Sequence, residues 1–404
     1  MELTADLIFR EEYSKLVAIY CHKYGVSHLE LIEDAIQDAF QKAVSLWPQQ
    51  APDNPKGWIY TVSKNRLLDK MKALKHNETT EGIPDIPYEE MNPYEINDNK
   101  LRMMFACCHP AINIGDQLLL SLKFLCGFGN RQIARVLLKS QGAIERASSR
   151  AKQKFQSVVS SLEVPEMHEL SARLDAVLKV IYLQFTEGYK TTEGEGLVNK
   201  DLCIDAIKLA ELVAGFKELE NPKVNAVLAL MYFQASRLEA RVDMHGHVLT
   251  LEKQDRSKWN YHFIMQGDIY LGRCATGNEV TTYHIEAAIA SYHAAAKNYA
   301  ETNWAAIFDL YSRAIELSAN PFYLLNRAIA LSKLVPVQEC LEYVLQVEST
   351  LPKNQYTFVF IGDLFKDMEN NSKAGTYYQK ALEYTSNRSE KDFIQEKLGQ
   401  LFVN

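Results

Sequence analysis

Glycine and proline are scarce in this chain, with eighteen and twelve in 404 residues. That excludes a collagen-like repeat and a Pro/Gly-rich disordered chain. Plentiful Ala, Leu, Glu and Lys point instead to helix nearly throughout. Long apolar runs are missing as well. The longest, Leu118 to Phe128, is interrupted by Lys123 and falls short of the roughly 20 residues a membrane-spanning helix needs. The N-terminus has no basic-then-apolar signal pattern, so a cytoplasmic location is expected. Seven cysteines, an odd number without a regular framework, suggest reduced thiols. Cys107, Cys108 and His109 are adjacent, but no second ligand pair lies at zinc-site spacing. Burial as small hydrophobes is favoured over metal binding there, and neither metal nor cofactor is expected. No HExxH, Walker-type loop or GxSxG is present, so the chain does not read as an enzyme.

What is present is a segregated distribution of charge. A net charge of -7 and 47% hydrophobic residues describe a chain able to build well-packed cores, long enough for two or three domains. Residues 1–163 are balanced, and the acidity lies in the remainder. Within the balanced half, Lys56 to Lys75 carries six basic residues and one acid, and Arg131 to Lys154 carries seven and one. Between them Glu78 to Asp98 carries seven acids and no base. Two basic blocks separated by an acidic one imply partners of opposite charge.

The first helix is read over Leu7 to Tyr24 and ends at Gly25. The second starts near His28, and Ile32, Ala35, Ile36, Ala39, Phe40, Ala43, Val44 and Trp47 make one wide apolar face. Asp34, Gln37, Asp38 and Gln41 lie opposite. After Pro48, Pro52 and Pro55, a helix runs from Gly57 to about Lys75. Its apolar residues do not hold one face, which predicts either a bend near Asn65 or cover on both sides. Its basic residues, Lys64, Arg66, Lys70, Lys72 and Lys75, are interleaved with Trp58 and Tyr60, a mixture suited to a single strand with unstacked bases. Residues 77–99 have the composition of a linker. Its acids are expected to compete with DNA for the basic faces, the alternative being a merely soluble tether.

The stretch Asn130 to Lys154, NRQIARVLLKSQGAIERASSRAKQK, reads as two helices joined by a tight turn. Ile144 falls ten positions after Ala134, the spacing at which a helix-turn-helix closes its small core. Arg146, Arg150, Lys152 and Lys154 lie outside that core, where phosphates would be. Beyond His168 the basic clusters disappear. RVDMHGHVLTL, 241–251, reads as a short hairpin. Farther on, Leu324, Ala328, Leu331, Cys340, Val344 and Val347 recur 34 residues later as Phe358, Gly362, Phe365, Ala374, Tyr378 and Ala381. A 34-residue period of helix pairs is the tetratricopeptide signature. An earlier copy around Ile307, Tyr311 and Ala314 is out of phase, and 168–300 reads as irregular helix pairs of the same type.

The order of these pieces resembles a bacterial sigma factor of the sigma-70 family, extracytoplasmic-function group, in particular the subgroup with a tetratricopeptide-like extension. The motifs MMFACCHPAI (103–112), YLQFTEGY (182–189), ARVDMHGHVLTLEKQDRSKW (240–259) and the AxxxYxxA helix at 374–381 carry the likeness to that subgroup. The resemblance implies an all-α fold: region 2 over 1–76, the acidic linker over 77–99, a region 4 helix-turn-helix domain over 100–163, and a regulatory solenoid with a small β-hairpin over 168–404. It implies docking of Asp34, Gln37, Asp38 and Gln41 on the β′ clamp of core RNA polymerase, with the β flap as a further contact. It implies promoter DNA contacts through Lys56, Trp58, Lys64, Asn65, Arg66, Lys70 and Lys72 at the −10 element. At the −35 element it implies Arg131, Gln132, Gln141, Arg146, Ser149, Arg150 and Lys152. The recognition helix differs from the family's usual pattern in having small residues, Ala143, Ala147, Ser148 and Ser149, and the turn has Leu138 where glycine is common. Asp243, Asp255, Arg256 and Trp259 form a candidate regulatory site, weighed against a loop network that satisfies its own charges, and the solenoid's concave surface suits a protein or peptide ligand. A polymerase-independent helix-turn-helix regulator with a solenoid sensor is the alternative, though it would have no use for residues 29–75.

Overall fold

A computed structural model describes residues 5–74, 93–137, 139–163, 167–189, 198–217, 220–243, 249–385 and 388–401. The chain forms two compact units, Met1–Glu220 and Asn221–Asn404. Among the described residues the fold is all-helical.

The first unit opens with a bundle of α1 (Ala5–Tyr24), α2 (Leu29–Leu46) and α3 (Pro55–Leu74). Gly25 turns the chain between α1 and α2 at φ +92°, a backbone angle that only glycine adopts without strain. On α2, Ile32, Ala35, Ile36, Ala39, Phe40 and Ala43 are buried, as the pattern predicts; Val44 is not, standing 56% exposed near the helix end. Helix α3 is continuous through Asn65. Its buried stripe is Ile59, Ser63, Leu67 and Met71, with Tyr60 alongside. The polar member hides this stripe from a hydropathy reading. Ser63 Oγ lies 2.8 Å from the Tyr20 hydroxyl, which also sits 2.9 Å from the Tyr60 carbonyl, so a serine occupies a core position fully bonded.

After 75–92, α4 (Pro93–Cys107) begins inside the stretch read as linker, and α5 (Ile114–Phe124), α6 (Asn130–Val136) and α7 (Gln141–Val158) follow. The acids Glu78, Glu81, Asp85, Glu89 and Glu90, together with Lys75 and Leu138, lie outside the described residues. Cys107 and Cys108 are buried, and burial pushes both thiols up. Gln117 closes the 109–112 turn by donating to the carbonyls of His109 and Ile112 at 3.0 and 2.8 Å. The unit does not end at 163. Helix α8 (Met167–Tyr189) packs on α4 and α5, and α9 (Lys200–Gly215) packs on α8. Arg173 on α8 is 5% exposed and donates to the Phe105 carbonyl at 2.9 Å. A Cβ on Gly188 would lie 2.8 Å from the Asn199 carbonyl oxygen, so only glycine permits the close α8–α9 crossing.

The second unit runs α10 (Pro222–Ala235), α11 (Tyr261–Cys274), α12 (Thr282–Ala295), α13 (Trp304–Leu317), α14 (Pro321–Leu331), α15 (Val337–Val347), α16 (Gln355–Asp367), α17 (Asn371–Glu383) and α18 (Arg388–Gln400). The period of 34 reappears in the helix starts: Pro321 to Gln355, and Val337 to Asn371. Most of these helices start at an asparagine whose side chain accepts a backbone N–H: Asn221, Asn260, Asn303, Asn320, Asn354 and Asn370. Cys340, Val344, Phe358, Phe365, Ala374, Tyr378 and Ala381 share one core. There the ring of Tyr378 lies where a Cβ on Gly362 would be, 2.5 Å from its Cε1. In the stretch read as a hairpin, the Leu249 N–H donates to the Arg241 carbonyl at 2.7 Å. Its tip, 244–248, lies outside the described residues, and no sheet forms among those described.

Candidate functional site

The two basic blocks read from the sequence are placed very differently. On α3 the cations are tied to α2. Arg66 Nε lies 2.9 Å from Asp38 Oδ2, and Lys70 Nζ lies 3.2 Å from Asp38 and 3.7 Å from Asp34. The Arg66 hydrogen bond, helped by Lys70, holds the Asp38 carboxyl below its usual range. Residues expected to face polymerase are thus knitted to residues expected to face DNA. Asp34, Gln37 and Gln41 are exposed on the outer side of α2. Lys64 is buried, 6.0 Å from the Tyr60 ring centre, and burial together with nearby Lys23 lowers its pKa. Its ammonium is therefore not on the open surface where a phosphate contact was expected. Lys56 reaches Glu12 at 3.5 Å, Trp58 meets Trp47 edge to face at 5.6 Å, and Asn65 and Lys72 are exposed.

The α6–α7 pair is a tight two-helix unit. Ile133, Ala134 and Ile144 are buried between the helices. The Lys139 N–H donates to the Ala134 carbonyl at 2.7 Å, and Ser140 caps α7 by accepting from the Ala143 N–H at 3.3 Å. Arg131, Gln141, Arg146, Ser149 and Arg150 are exposed, Gln132 is half-buried, and the Gln141 amide donates to Glu145 at 2.9 Å. Ser148, rather than Ser149, turns into the core.

Lys152 departs from this outward set. It forms an ion pair with Glu33 of α2, and Lys123 of α5 approaches the same carboxylate at 3.6 Å. Glu33 is 3% exposed and also accepts from the Tyr13 hydroxyl at 3.3 Å. Burial lowers the Lys123 pKa, an effect partly offset by Glu33. Sequence reasoning missed Glu33 and Lys123, although both leave a signal. Glu33 stands at a core-facing position of the α2 pattern, between Leu29 and Ile36, and Lys123 interrupts the longest apolar run. Around the cluster lies a cleft of about 230 Å³ lined by Glu30, Glu33, Asp34, Gln37, Lys123 and Lys152.

Of the four residues read as a regulatory site, Arg256 and Trp259 are in contact. Asp255 is exposed and spends its carboxylate on Ser257, accepting from the N–H at 3.0 Å and the hydroxyl at 2.7 Å. Arg256 closes the end of α12, donating to the carbonyls of His293 and Ala296 at 2.6 and 2.8 Å while its guanidinium lies 4.5 Å from the ring centre of buried Trp259. A cation at a helix C-terminus meets both the orphan carbonyls and the negative end of the helix dipole. Beneath it, burial and then the charges of Arg237 and Arg256 push the His293 imidazole down to about 3. Asp243 is half-buried at the start of the 244–248 segment.

Residues 9–76, which span nearly all of the α1–α3 bundle, match Sigma-70 region 2. Residues 173–275 match the Family of unknown function (DUF6596). An uncharacterized protein of Rhizobium meliloti (strain 1021) is 32% identical over 384 residues, covering 93% of this chain and 90% of that protein. No solved structure matches the chain. Residues 9–76 are thus similar to a sigma-70 region 2 domain, and the chain shares nearly its whole length with the Rhizobium protein. Among the described residues no helix is long and apolar enough to cross a membrane.

Proposed function

We propose that this protein is an RNA polymerase sigma factor of the extracytoplasmic-function type, working in the cytoplasm without catalytic chemistry of its own. The observation that carries the reading is the match of residues 9–76 to Sigma-70 region 2, which coincides with the α1–α3 bundle. In this reading the outer face of α2, with Asp34, Gln37, Asp38 and Gln41, docks on the β′ clamp. Helix α3 engages the −10 element through Trp58, Asn65, Arg66, Lys70 and Lys72. Helices α6 and α7 form the helix-turn-helix that reads the −35 element beside the β flap. Exposed Arg131, Arg146 and Arg150 supply phosphate contacts, which position the module on the duplex, while Gln141 at the start of α7 and Ser149 at its middle reach base edges. The 34-residue repeat of α14–α17 supports a tetratricopeptide-like second unit, which modulates the sigma module by taking up a protein or peptide segment.

Co-elution of the full chain with core polymerase, followed by run-off transcription from a promoter library, tests this directly. Binding to core and template-specific transcripts are expected. The double variant Arg146→Ala/Arg150→Ala should weaken duplex binding and reduce the salt slope by about two. Duplex binding without core binding would replace the proposal with a polymerase-independent regulator.

A further inference from the structure

Helix α11 of the second unit turns an apolar face to solvent. Tyr261, Met265 and Ile269 follow one another at four-residue spacing and are 72%, 47% and 45% exposed. Among the described residues, no other helix exposes more than two large apolar side chains. A concentrated apolar stripe of this kind marks an interaction surface. The helix behind it is firmly seated. On its opposite side Gly267 is buried, and a Cβ there would lie 2.7 Å from the Phe233 ring, so α11 is pressed against α10. Phe263 and Tyr270 meet Tyr232 of α10 on that same inner side, with ring centres 5.6 and 5.7 Å away. These contacts fix the rotation of α11 about its own axis, and the stripe faces outward.

The residues beside the stripe select its occupant. At about 100° per residue, His262 and Asp268 flank Met265 on opposite sides, three positions before it and three after it. Both are exposed. Tyr261 and Ile269 stand four positions before Met265 and four after it. A two-fold axis through Met265 therefore sets Met265 against its own copy, Tyr261 against Ile269, and His262 against Asp268, with the two helices antiparallel. Every pairing is then apolar with apolar or donor with acceptor. An imidazole can donate an N–H to a carboxylate in either protonation state of the ring. Partial burial raises the Asp268 carboxyl, so an added donor there is favourable. Near the far end of the stripe, Gly272 leaves open space where a Cβ would stand, which keeps the face low. We propose that this face of α11 is an isologous interface, centred on Met265, through which the chain pairs with a second copy of itself. The pairing follows from the second unit alone and holds whatever the first unit binds.

Sedimentation of the full chain over a concentration series tests this. A contact built on three apolar side chains is small, so half-association on the order of 10 μM is expected. Met265→Arg sets like charges against each other on the axis and should weaken pairing about tenfold or more. His262→Asp and Asp268→Lys should each weaken it about threefold or more, and the two together should restore it. Positions 262 and 268 lie about 9 Å apart along one helix and on opposite flanks, so that recovery can come only across the axis. All these positions are exposed, and circular dichroism should show each variant folded. A chain that stays monomeric to about 300 μM would overturn the proposal. So would a dimer that survives Met265→Arg, or a double exchange that fails to restore one. A monomeric chain in which Met265→Arg weakens binding to core polymerase would assign the face to a different partner and likewise overturn it.

Discussion

The two units of this protein each place a charged side chain inside the fold, and they satisfy it by opposite means. In the first, Glu33 is met by lysines from two other helices, with every partner on a movable side chain. In the second, Arg256 is met by two backbone carbonyls at the end of α12 and by the face of Trp259. Side-chain partners can separate and become hydrated independently. Carbonyls at a helix end cannot move without unwinding the helix. One arrangement therefore suits a joint that opens, and the other a joint that stays closed. The sign and number of charges do not distinguish the two; the nature of the partner does.

That contrast predicts unequal costs. Arg256→Ala should be the most damaging, destabilising the second unit by roughly 3 kcal/mol, since it orphans two carbonyls and uncovers Trp259. Arg256→Lys should recover less than half, because an ammonium cannot bridge both carbonyls and lie flat on the indole. Thermal melts followed by tryptophan fluorescence check both, and full recovery by lysine would break the comparison. Next is Gly362→Ala, for which about 2 kcal/mol is expected from the collision with the Tyr378 ring, read as a lower melting temperature. Third is a pH effect. The folded His293 imidazole titrates at about 3 and the unfolded one near its ordinary value of roughly 6.5. The native state thus binds fewer protons than the unfolded chain below that pH, and stability falls as pH falls. A loss of roughly 1.6 kcal/mol is expected between pH 6.5 and 5, and His293→Phe should flatten the slope. The smallest effect belongs to the first unit. Lys152→Gln should cost about 1 kcal/mol, because Glu33 keeps Lys123 and Tyr13 and the glutamine amide can still donate to it. A loss equal to that of Arg256→Ala would show that the first joint is as fixed as the second.

Much of the helical layout is legible in the sequence because periodicity and caps are local signals. The α2 face and the 34-residue recurrence both come from spacing alone. Helix α3 was ambiguous because one of its four core positions is Ser63, and a hydroxyl reads as surface unless its partner Tyr20 is known. The α4 start at Pro93 was hidden because acids in a first turn look like linker composition, although they also favour a helix N-terminus. The candidate site was legible as a list of residue types but not as an arrangement. Lys64, Arg66, Lys70 and Lys152 all counted equally as cations in a basic block. One is buried beside Tyr60, two are paired with Asp34 and Asp38, and one is drawn to Glu33. The three pairings depend on residues 28 to 119 positions away in the chain, beyond the reach of any local pattern. The stray charges at Glu33 and Lys123, each interrupting an apolar pattern, were the available clue that two helices would meet there.

The asparagine caps of the second unit have a consequence for chemical ageing. Asparagine amides hydrolyse slowly to aspartate, a change that harms most folds where the amide nitrogen is in use. At Asn221, Asn303, Asn320, Asn354 and Asn370 the bonded atom is the side-chain oxygen, which accepts a backbone N–H at a helix start. Aspartate keeps that acceptor and adds a negative charge where the helix dipole favours one. Direct hydrolysis to aspartate at these positions would leave the helix starts in place.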